Sequence, residues 1–565
     1  MATKLLIIGG VAGGATAAAR ARRLNEHAQI ILFERGPHIS FANCGLPYYV
    51  GGVIEDRDKL LVTTQDAFMK RYNIDVRIKT QVLAIQRSAR RVLTRERDSG
   101  NEYSESYDKI ILAPGAEPIK PPIPGNDLEG IFYLRDIPDS DKIKALIDVK
   151  KPQTAVVVGG GFIGLEMAEN LVHRGIRTTI VEMSDQVMAP LDPEMAAVVH
   201  AHLREHGVAL ELGQRVASFV KEEARIGVAT AEGKVLLGDL VISALGIRPE
   251  NKLAKDAGLT LGPRGHIVVD ATMRTDDPDI YAVGDAVEIR DLVTGMPTSI
   301  ALAGPANKQG RIAADNAMGR RNLYKGGLGT SIVKVFDLTV ASTGTNEKTL
   351  IKHSIPYKVS YTHSGSHASY YPGSSPIAVK LLFAPGDGKL LGAQIVGHSG
   401  VDKRIDIIAT AIHGNMTVFD LEELELAYAP PYSSAKDPLN IAGFAAANIL
   451  KADVEVAHWH ELTSLIKQGV VLLDLRSSKE IKAAGTLPGA LHIPMDELRA
   501  ALSTLDRDKL YVVYCAVGMR GYLAHRILVQ NGFRSRNLSG GYRTFLGARE
   551  EIMRESPDDG LWLSE

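Results

Sequence analysis

The chain has little sulfur. Of its 565 residues only two are cysteine, too few for a disulfide framework, so the thiols point to a reducing compartment and to chemistry rather than cross-linking. Net charge is nearly absent: 65 Lys and Arg against 66 Asp and Glu leave −1. That removes any global attraction to nucleic acid or to an anionic membrane. Long apolar runs are missing too, and no window approaches the ~20 residues of a membrane-spanning helix. The opening MATKLLIIGGVAGGATAAARARR has the order of parts of a signal peptide, but its apolar run is only LLII and arginine follows the alanines. The chain reads as cytoplasmic, with no membrane partner and, lacking any nucleic-acid motif, no nucleic-acid partner. What it has in plenty is glycine, 54 residues, and a length that implies about three or four domains.

Much of the glycine sits in strand-to-helix turns. KLLIIGGVAGGATAAARARR reads as a buried strand, a glycine turn and an alanine-rich helix, and the next strand, IILFERG, ends in Glu34. Such a turn aims backbone N–H groups at one spot that suits a pyrophosphate, and a strand-end acid then accepts from ribose hydroxyls. Gly9 and Gly14 match the first and last glycines of that fingerprint, with Val11 in the middle place. TAVVVGGGFIGLEMAENLVHRGIRTTIVEMSD repeats the pattern in full through Gly159, Gly161, Gly164 and Glu182. The alternative, glycines that merely let helices pack on strands, fits either copy but not both with correctly placed acids. Glu182 favours NAD over NADP, because a carboxylate repels a 2′-phosphate; Arg174 and Arg177 upstream could soften that preference.

YDKIILAPGAEP and GDLVISALGIRPE each read as a strand entering a glycine turn, and DPDIYAVGDAVE puts Asp285 after a short apolar strand. Together these stretches resemble the two-dinucleotide-binding flavoprotein disulfide reductases, over about residues 1 to 446. The resemblance implies FAD on the first cradle, NADH on the second, and Asp285 on the flavin ribitol. Its cofactor-binding positions are Gly9, Gly10, Val11, Ala12, Gly14, Glu34, Arg35, Asn43, Ala113, Pro114, Gly115, Gly159, Gly161, Phe162, Ile163, Gly164, Glu182, Gly246, Gly284, Asp285 and Ala303.

The first thiol lies in SFANCGLPYYVGG. Redox pairs in such reductases use two cysteines separated by four residues; here Cys44 stands alone, so its oxidised form must be bonded to something else: a sulfenic oxygen, a persulfide sulfur or a small thiol. Its flanks, Asn43, Gly45 and Pro47, favour a loop or helix start, where a thiolate is stabilised. The segment resembles the coenzyme A disulfide reductases and the NADH-dependent persulfide reductases. Single-cysteine NADH peroxidases and oxidases share the scaffold, but the peroxidases carry a histidine where this chain has Ala12. Arg20, Arg22 and Arg23 on the first helix are cations suited to phosphates, or else a solvated basic helix end. By resemblance, coenzyme A is held by Thr16, Arg20, Arg23, Ser40, Asn43, Arg71, Asn307 and Lys436. Residues 327 to 446 resemble the family's dimerisation domain, which implies a homodimer in which Tyr370 and Tyr428 reach the partner subunit's site. A phenol there could protonate a departing thiolate. Without the resemblance these tyrosines would read as packing residues.

After NILKADVEVAHWHE the character changes, with a boundary near residue 451. VVLLDLRSSKEIKAAGTLPGALHIPMDELRAAL reads strand, helix, turn, strand, helix, and KLYVVYCAVGMRGYLAHRILVQNGF reads strand, loop, helix. Cys515 leaves a buried strand and precedes a helix, with Gly518 permitting tight curvature. N–H groups curled round its sulfur favour a thiolate or persulfide anion, and Arg520 adds positive charge. This resembles rhodanese domains, in the DLR strand end, the GTLPGALHIP turn and the CAVGMR loop. In HAHLREH, His200, His202 and His206 include an i, i+4 pair; with no cysteine or HExxH pattern beside it, it reads as a solvated helix face and no metal is expected. His458 to His460 sit in the presumed linker.

The expected fold is α/β: two Rossmann-like three-layer dinucleotide-binding domains, an α+β dimerisation domain and a C-terminal α/β rhodanese domain. The boundaries are 1–117 with 247–326 for FAD, 118–246 for NADH, 327–446 for dimerisation, 447–456 as linker and 457–565 for rhodanese. The expected activity is NADH-dependent reduction of coenzyme A persulfide or polysulfide through FAD and Cys44, with Cys515 transferring sulfur. The substrate is thus a small molecule. Plain coenzyme A disulfide reduction, an oxidase or peroxidase working through a Cys44 sulfenic acid, and a sulfur-carrier or redox-sensing module are the alternatives.

Overall fold

The computed structural model describes residues 3–555. The outermost residues of the expected FAD-binding and rhodanese domains, 1–2 and 556–565, lie outside the described residues. The chain forms two compact units, one of residues up to Val187 with His206–Gly329, the other of Met188–Glu205 with the residues from Thr330 onward.

The first unit holds two parallel five-stranded sheets. β1 (Lys4–Ile8), a run of apolar residues, is buried along most of its length and pairs in parallel with β2 (Gln29–Phe33). Between them runs α1 (Ala12–Leu24), whose alanines let it lie close to the strands. A six-residue helix, α2 (Leu46–Gly51), follows. β3 (Lys109–Leu112) flanks β1 on its other side. The second sheet repeats the design with β4 (Thr154–Val158), α3 (Phe162–His173) and β5 (Arg177–Val181). The chain next forms α4 (Pro193–Glu205), which belongs to the other unit although it interrupts the expected NADH-binding stretch. It then returns for β6 (Leu240–Ser243) beside β4, β7 (Ile280–Ala282) beside β3, and α5 (Ala303–Ala317). α5 crosses α1 closely: a Cβ on Gly310 would lie 2.3 Å from the Gly13 carbonyl oxygen.

In the second unit β8 (Ser331–Val335), β9 (Leu338–Gly344), β10 (Lys358–Gly365), β11 (Pro376–Phe383) and β12 (Leu390–Gly397) make an antiparallel sheet in the order β8-β9-β12-β11-β10. α6 (Pro438–Leu450) precedes a parallel sheet centred on β13 (Val471–Asp474), β14 (Leu510–Tyr514) and β15 (Arg534–Leu538), with α7 (Ser478–Ala484), α8 (Met519–Gln530) and α9 (Gly541–Glu555) around it. His458 to His460 do not lie in a linker. Trp459 is buried and the two histidine rings stack 5.6 Å apart at the start of this last domain. HAHLREH is a solvated face only in part: His200 and His202 are buried, because α4 packs inside the second unit, while His206 is exposed.

An ion cluster holds α4 there. Lys380 on β11 is fully buried, and its ammonium lies 2.8 Å from Asp192, 2.5 Å from Glu194 and 2.6 Å from Glu347. Burial alone would discharge the lysine, but the carboxylates and Tyr361 raise its pKa well above the ordinary value. Among the described residues no helix is long and apolar enough to cross a membrane. Lys380→Met leaves three carboxylates uncompensated and should destabilise the second unit by about 3–5 kcal/mol, read as a fall in the urea midpoint.

Candidate active site

Both glycine turns are built alike. Gly9 leaves β1 at φ +103°, and a Cβ on Gly14 would stand 1.8 Å from the Gly9 carbonyl oxygen. Gly159 leaves β4 at φ +111°, and a Cβ on Gly164 would stand 2.0 Å from the Gly159 oxygen. Only glycine fits these close approaches of helix to strand. α1 begins after Val11 and α3 after Gly161 with no side-chain cap and no acid in the first turn, and α5 begins the same way after Leu302. Elsewhere Asp136 and Thr64 cap the helices they precede. The first amides of α1, α3 and α5, including those of Ala12, Phe162, Ile163 and Ala303, are thus left without a side-chain acceptor, the condition a pyrophosphate relieves.

The strand-end acids match as well. Glu34 accepts from Gly10 N–H at 2.8 Å and from Gly36 N–H at 2.7 Å. Glu182 accepts from Gly160 at 2.7 Å and Ser184 at 2.8 Å. Each carboxylate is fixed by backbone while keeping lone pairs for ribose hydroxyls. Ala113, Pro114 and Gly115 form the turn after β3, and Gly115, Gly246 and Gly284 all have positive φ. Beside Gly284, Asp285 is desolvated, which pushes its carboxyl up, Arg135 only partly offsetting this. Arg35 pairs with Glu250 at 2.6 Å. The donor set fits two dinucleotides.

Cys44 sits in a single 3-10 turn, Asn43–Gly45, that runs into α2. Cys44 and Asn43 are exposed. Contrary to the expectation from its flanks, the surroundings do not favour the thiolate. Partial desolvation pushes the thiol up, and the Glu166 and Asp285 carboxylates add to it, against a lowering backbone hydrogen bond. Glu166, on α3, is itself pushed up to about 7 by burial, and Tyr48 on α2 donates to it at 3.5 Å. α2 and α3 meet closely, a Cβ on Gly51 falling 1.9 Å from the Asn170 side-chain oxygen. Sequence reasoning missed Glu166; its one signal was an acid two residues beyond the last glycine of the second turn.

Of the residues expected at coenzyme A, the α1–α5 crossing brings together Thr16 and Asn307, hydrogen-bonded at 2.6 Å. One turn on, Arg20 pairs through Nε with Asp315 at 2.7 Å, keeping its terminal nitrogens for a phosphate. Ser40 holds a left-handed φ of 45°, and Arg23 and Arg71 are exposed. Arg22 is not available to a phosphate. It is buried, and its guanidinium donates to the carbonyls of Tyr72, Asn25, Glu26 and Asn73.

In the second unit Tyr370 and Tyr428, both exposed, share a hydrogen bond of 2.7 Å, and Lys436 is exposed nearby in sequence. Cys515 is buried at the end of β14. Gly518, at φ +97°, turns the chain so that its N–H donates to the Cys515 sulfur at 3.2 Å and α8 begins. Arg520 forms a two-point ion pair with Glu480, at 2.9 and 2.5 Å, which holds the Glu480 carboxyl down to about 2.

Comparison with known proteins agrees with this geometry. Residues 3–310 match the pyridine nucleotide-disulphide oxidoreductase model, 330–438 its dimerisation domain and 458–548 the rhodanese-like domain. A coenzyme A disulfide reductase of Staphylococcus haemolyticus is 36% identical over 447 residues, 79% of this chain and 100% of that protein. The crystal structure of reduced Bacillus anthracis CoADR-RHD superposes with a TM-score of 0.95 at 49% identity, covering 98% of this chain and 99% of that one. A NAD-dependent persulfide reductase from A. fulgidus gives 0.90 at 40% identity, covering 96% and 100%. With two matching dinucleotide cradles, a lone thiol in the first unit and a second thiol in a rhodanese loop, the chain belongs to the pyridine nucleotide-disulphide oxidoreductase family and carries a C-terminal rhodanese-like domain.

Proposed function

We propose that this chain is an FAD-dependent reductase that uses NADH to release sulfide from sulfane sulfur carried on coenzyme A. The observation that carries this reading is Cys44, the only thiol of the first unit and exposed, joined in one chain to a second thiol in a sulfur-transfer loop. The overall reaction is coenzyme A persulfide + NADH + H⁺ → coenzyme A + H₂S + NAD⁺.

The first cradle, with Glu34, Asp285 and the start of α5, would hold FAD, and the second, with Glu182, would hold NADH. FAD, when bound, supplies the two-electron relay between NADH and sulfur. Thr16, Arg20, Arg23, Ser40, Asn43, Arg71, Asn307 and Lys436 bind the coenzyme. The Cys44 thiolate attacks the persulfide. Attack on the outer sulfur leaves a Cys44 persulfide and free coenzyme A; attack on the inner one leaves a Cys44–coenzyme A disulfide and sulfide. Two electrons and a hydrogen from NADH, with a proton, then cleave the S–S bond and restore the thiol, releasing sulfide from the Cys44 persulfide or coenzyme A from the mixed disulfide. Tyr428, hydrogen-bonded to Tyr370, protonates the departing sulfur, and Cys515 loads sulfur onto coenzyme A or delivers it. Exposed Tyr370, Tyr371, Tyr428 and Tyr432 support a homodimer in which two of them serve the partner's site. Two unpaired thiols support a cytoplasmic setting. Coenzyme A disulfide reduction is the second reading, favoured by the staphylococcal relative, which matches only 79% of this chain.

The two readings separate when NADH oxidation is followed with coenzyme A persulfide, coenzyme A disulfide and peroxide. Coenzyme A persulfide should have the highest kcat/KM, Cys44→Ser should abolish turnover of all three, and Cys515→Ser should spare the disulfide; a persulfide no better than the others contradicts the assignment. Tyr428→Phe should lower kcat for coenzyme A persulfide by about 10²-fold with little change in KM. In Cys515→Ser protein, where Cys44 is the sole thiol, Glu166→Gln should lower the pH midpoint of alkylation by up to about one unit, because above pH 7 the Glu166 carboxylate opposes a second negative charge.

A further inference from the structure

Ser539 and Gly540, which form a turn, and the first turn of α9 are held on one side by the antiparallel sheet and on the other by the Cys515 loop, all within the second unit. On the sheet side, Tyr361 N–H on β10 donates to the Ser539 hydroxyl at 3.3 Å, and His363 Nε2 is hydrogen-bonded to the Thr544 hydroxyl at 2.8 Å. On the loop side, Tyr542 N–H donates to the Cys515 carbonyl at 2.8 Å and Arg543 N–H to the Ala516 carbonyl at 3.0 Å. The two glycines between have no slack. A Cβ on Gly540 would lie 2.7 Å from the Tyr361 Cβ, and one on Gly541 would lie 2.5 Å from the Cys515 oxygen and 2.8 Å from the Gly518 nitrogen. Both glycines have positive φ, +72° and +62°, a path that other residues would hold only under strain.

Tyr361 is anchored in its turn. Its hydroxyl donates to Glu194 at 3.0 Å, inside the Lys380 ion cluster. His363 is neutral at working pH, since burial lowers its pKa to about 3, and its bond to Thr544 therefore persists across that range. The carbonyls that fix where the Cys515 backbone lies are thus tied, through one short turn, to a strand of a different sheet.

The geometry points to His363 and Tyr361, on the antiparallel sheet, as positioning residues for sulfur transfer at Cys515. The sulfur-transfer loop is set by that sheet as well as by its own domain. This rests on Cys515 being the sulfur carrier.

The full-length holoenzyme tests it, with thiosulfate as sulfur donor and cyanide as acceptor for transfer, and with coenzyme A disulfide and NADH for the Cys44 reaction. His363→Leu should lower the transfer kcat about tenfold with KM for thiosulfate unchanged, while NADH-dependent disulfide reduction stays at the parental rate. His363→Gln, which keeps a hydrogen-bonding group where Nε2 was, should recover most of the loss. Parental transfer in His363→Leu, an equal loss of both activities, or a Gln variant no better than Leu overturns the proposal. If His363→Leu does not fold, Thr544→Val removes the same bond from the other side and is read in the same way. Failure of the underlying reading has a different signature, transfer that survives Cys515→Ser.

Discussion

Backbone amides left without acceptors organise the first unit. At the starts of α1, α3 and α5 no side chain caps the helix, and at Gly14 and Gly164 the backbone approach leaves no space for a Cβ. An uncapped helix start costs free energy unless water or an anion satisfies it, and the glutamates ending β2 and β5 are each fixed by two backbone donors beside it. The order strand, glycine turn, bare helix start, oriented acid appears twice in one unit and accounts for two dinucleotides.

The thiols obey a different constraint. With two cysteines in 565 residues, oxidation of Cys44 cannot end in a neighbouring disulfide. Partial desolvation pushes its thiol up, and Glu166, which stands on α3 of the second cradle, adds to that by opposing the thiolate. Cys515 is arranged otherwise: buried, with a backbone N–H on its sulfur and an arginine engaged by Glu480. The exposed thiol is open to small molecules, and the buried one lies in a loop whose carbonyls at Cys515 and Ala516 accept from Tyr542 and Arg543.

Features that depend on neighbours in sequence were legible. Gly9, Gly14, Gly159 and Gly164, the acids at 34 and 182, and the Cys515–Gly518 turn each follow from a few adjacent residues, because turn geometry and helix starts are local. Contacts between distant segments were not. Arg20, Arg22 and Arg23 look alike on one helix, yet Arg22 is taken by the carbonyls of Tyr72 and Asn73, some fifty residues away. His200 and His202 are buried because α4 leaves the unit that flanks it in sequence. Local flanks promised a stabilised Cys44 thiolate, but desolvation within the fold opposes it, and Glu166 and Asp285, both far along the chain, add to that. The hydrogen bond of His363 to Thr544 spans 181 positions and leaves no trace in either local sequence.

If Cys44 works as proposed, its oxidised form is bonded to a partner from outside the polypeptide. Peptide mass spectrometry after exposure of the holoenzyme to coenzyme A disulfide tests it most directly. One coenzyme A in disulfide linkage is expected on the peptide containing Cys44, removed by NADH and formed equally well in Cys515→Ser. An unmodified Cys44, or a bond between Cys44 and Cys515, would contradict it.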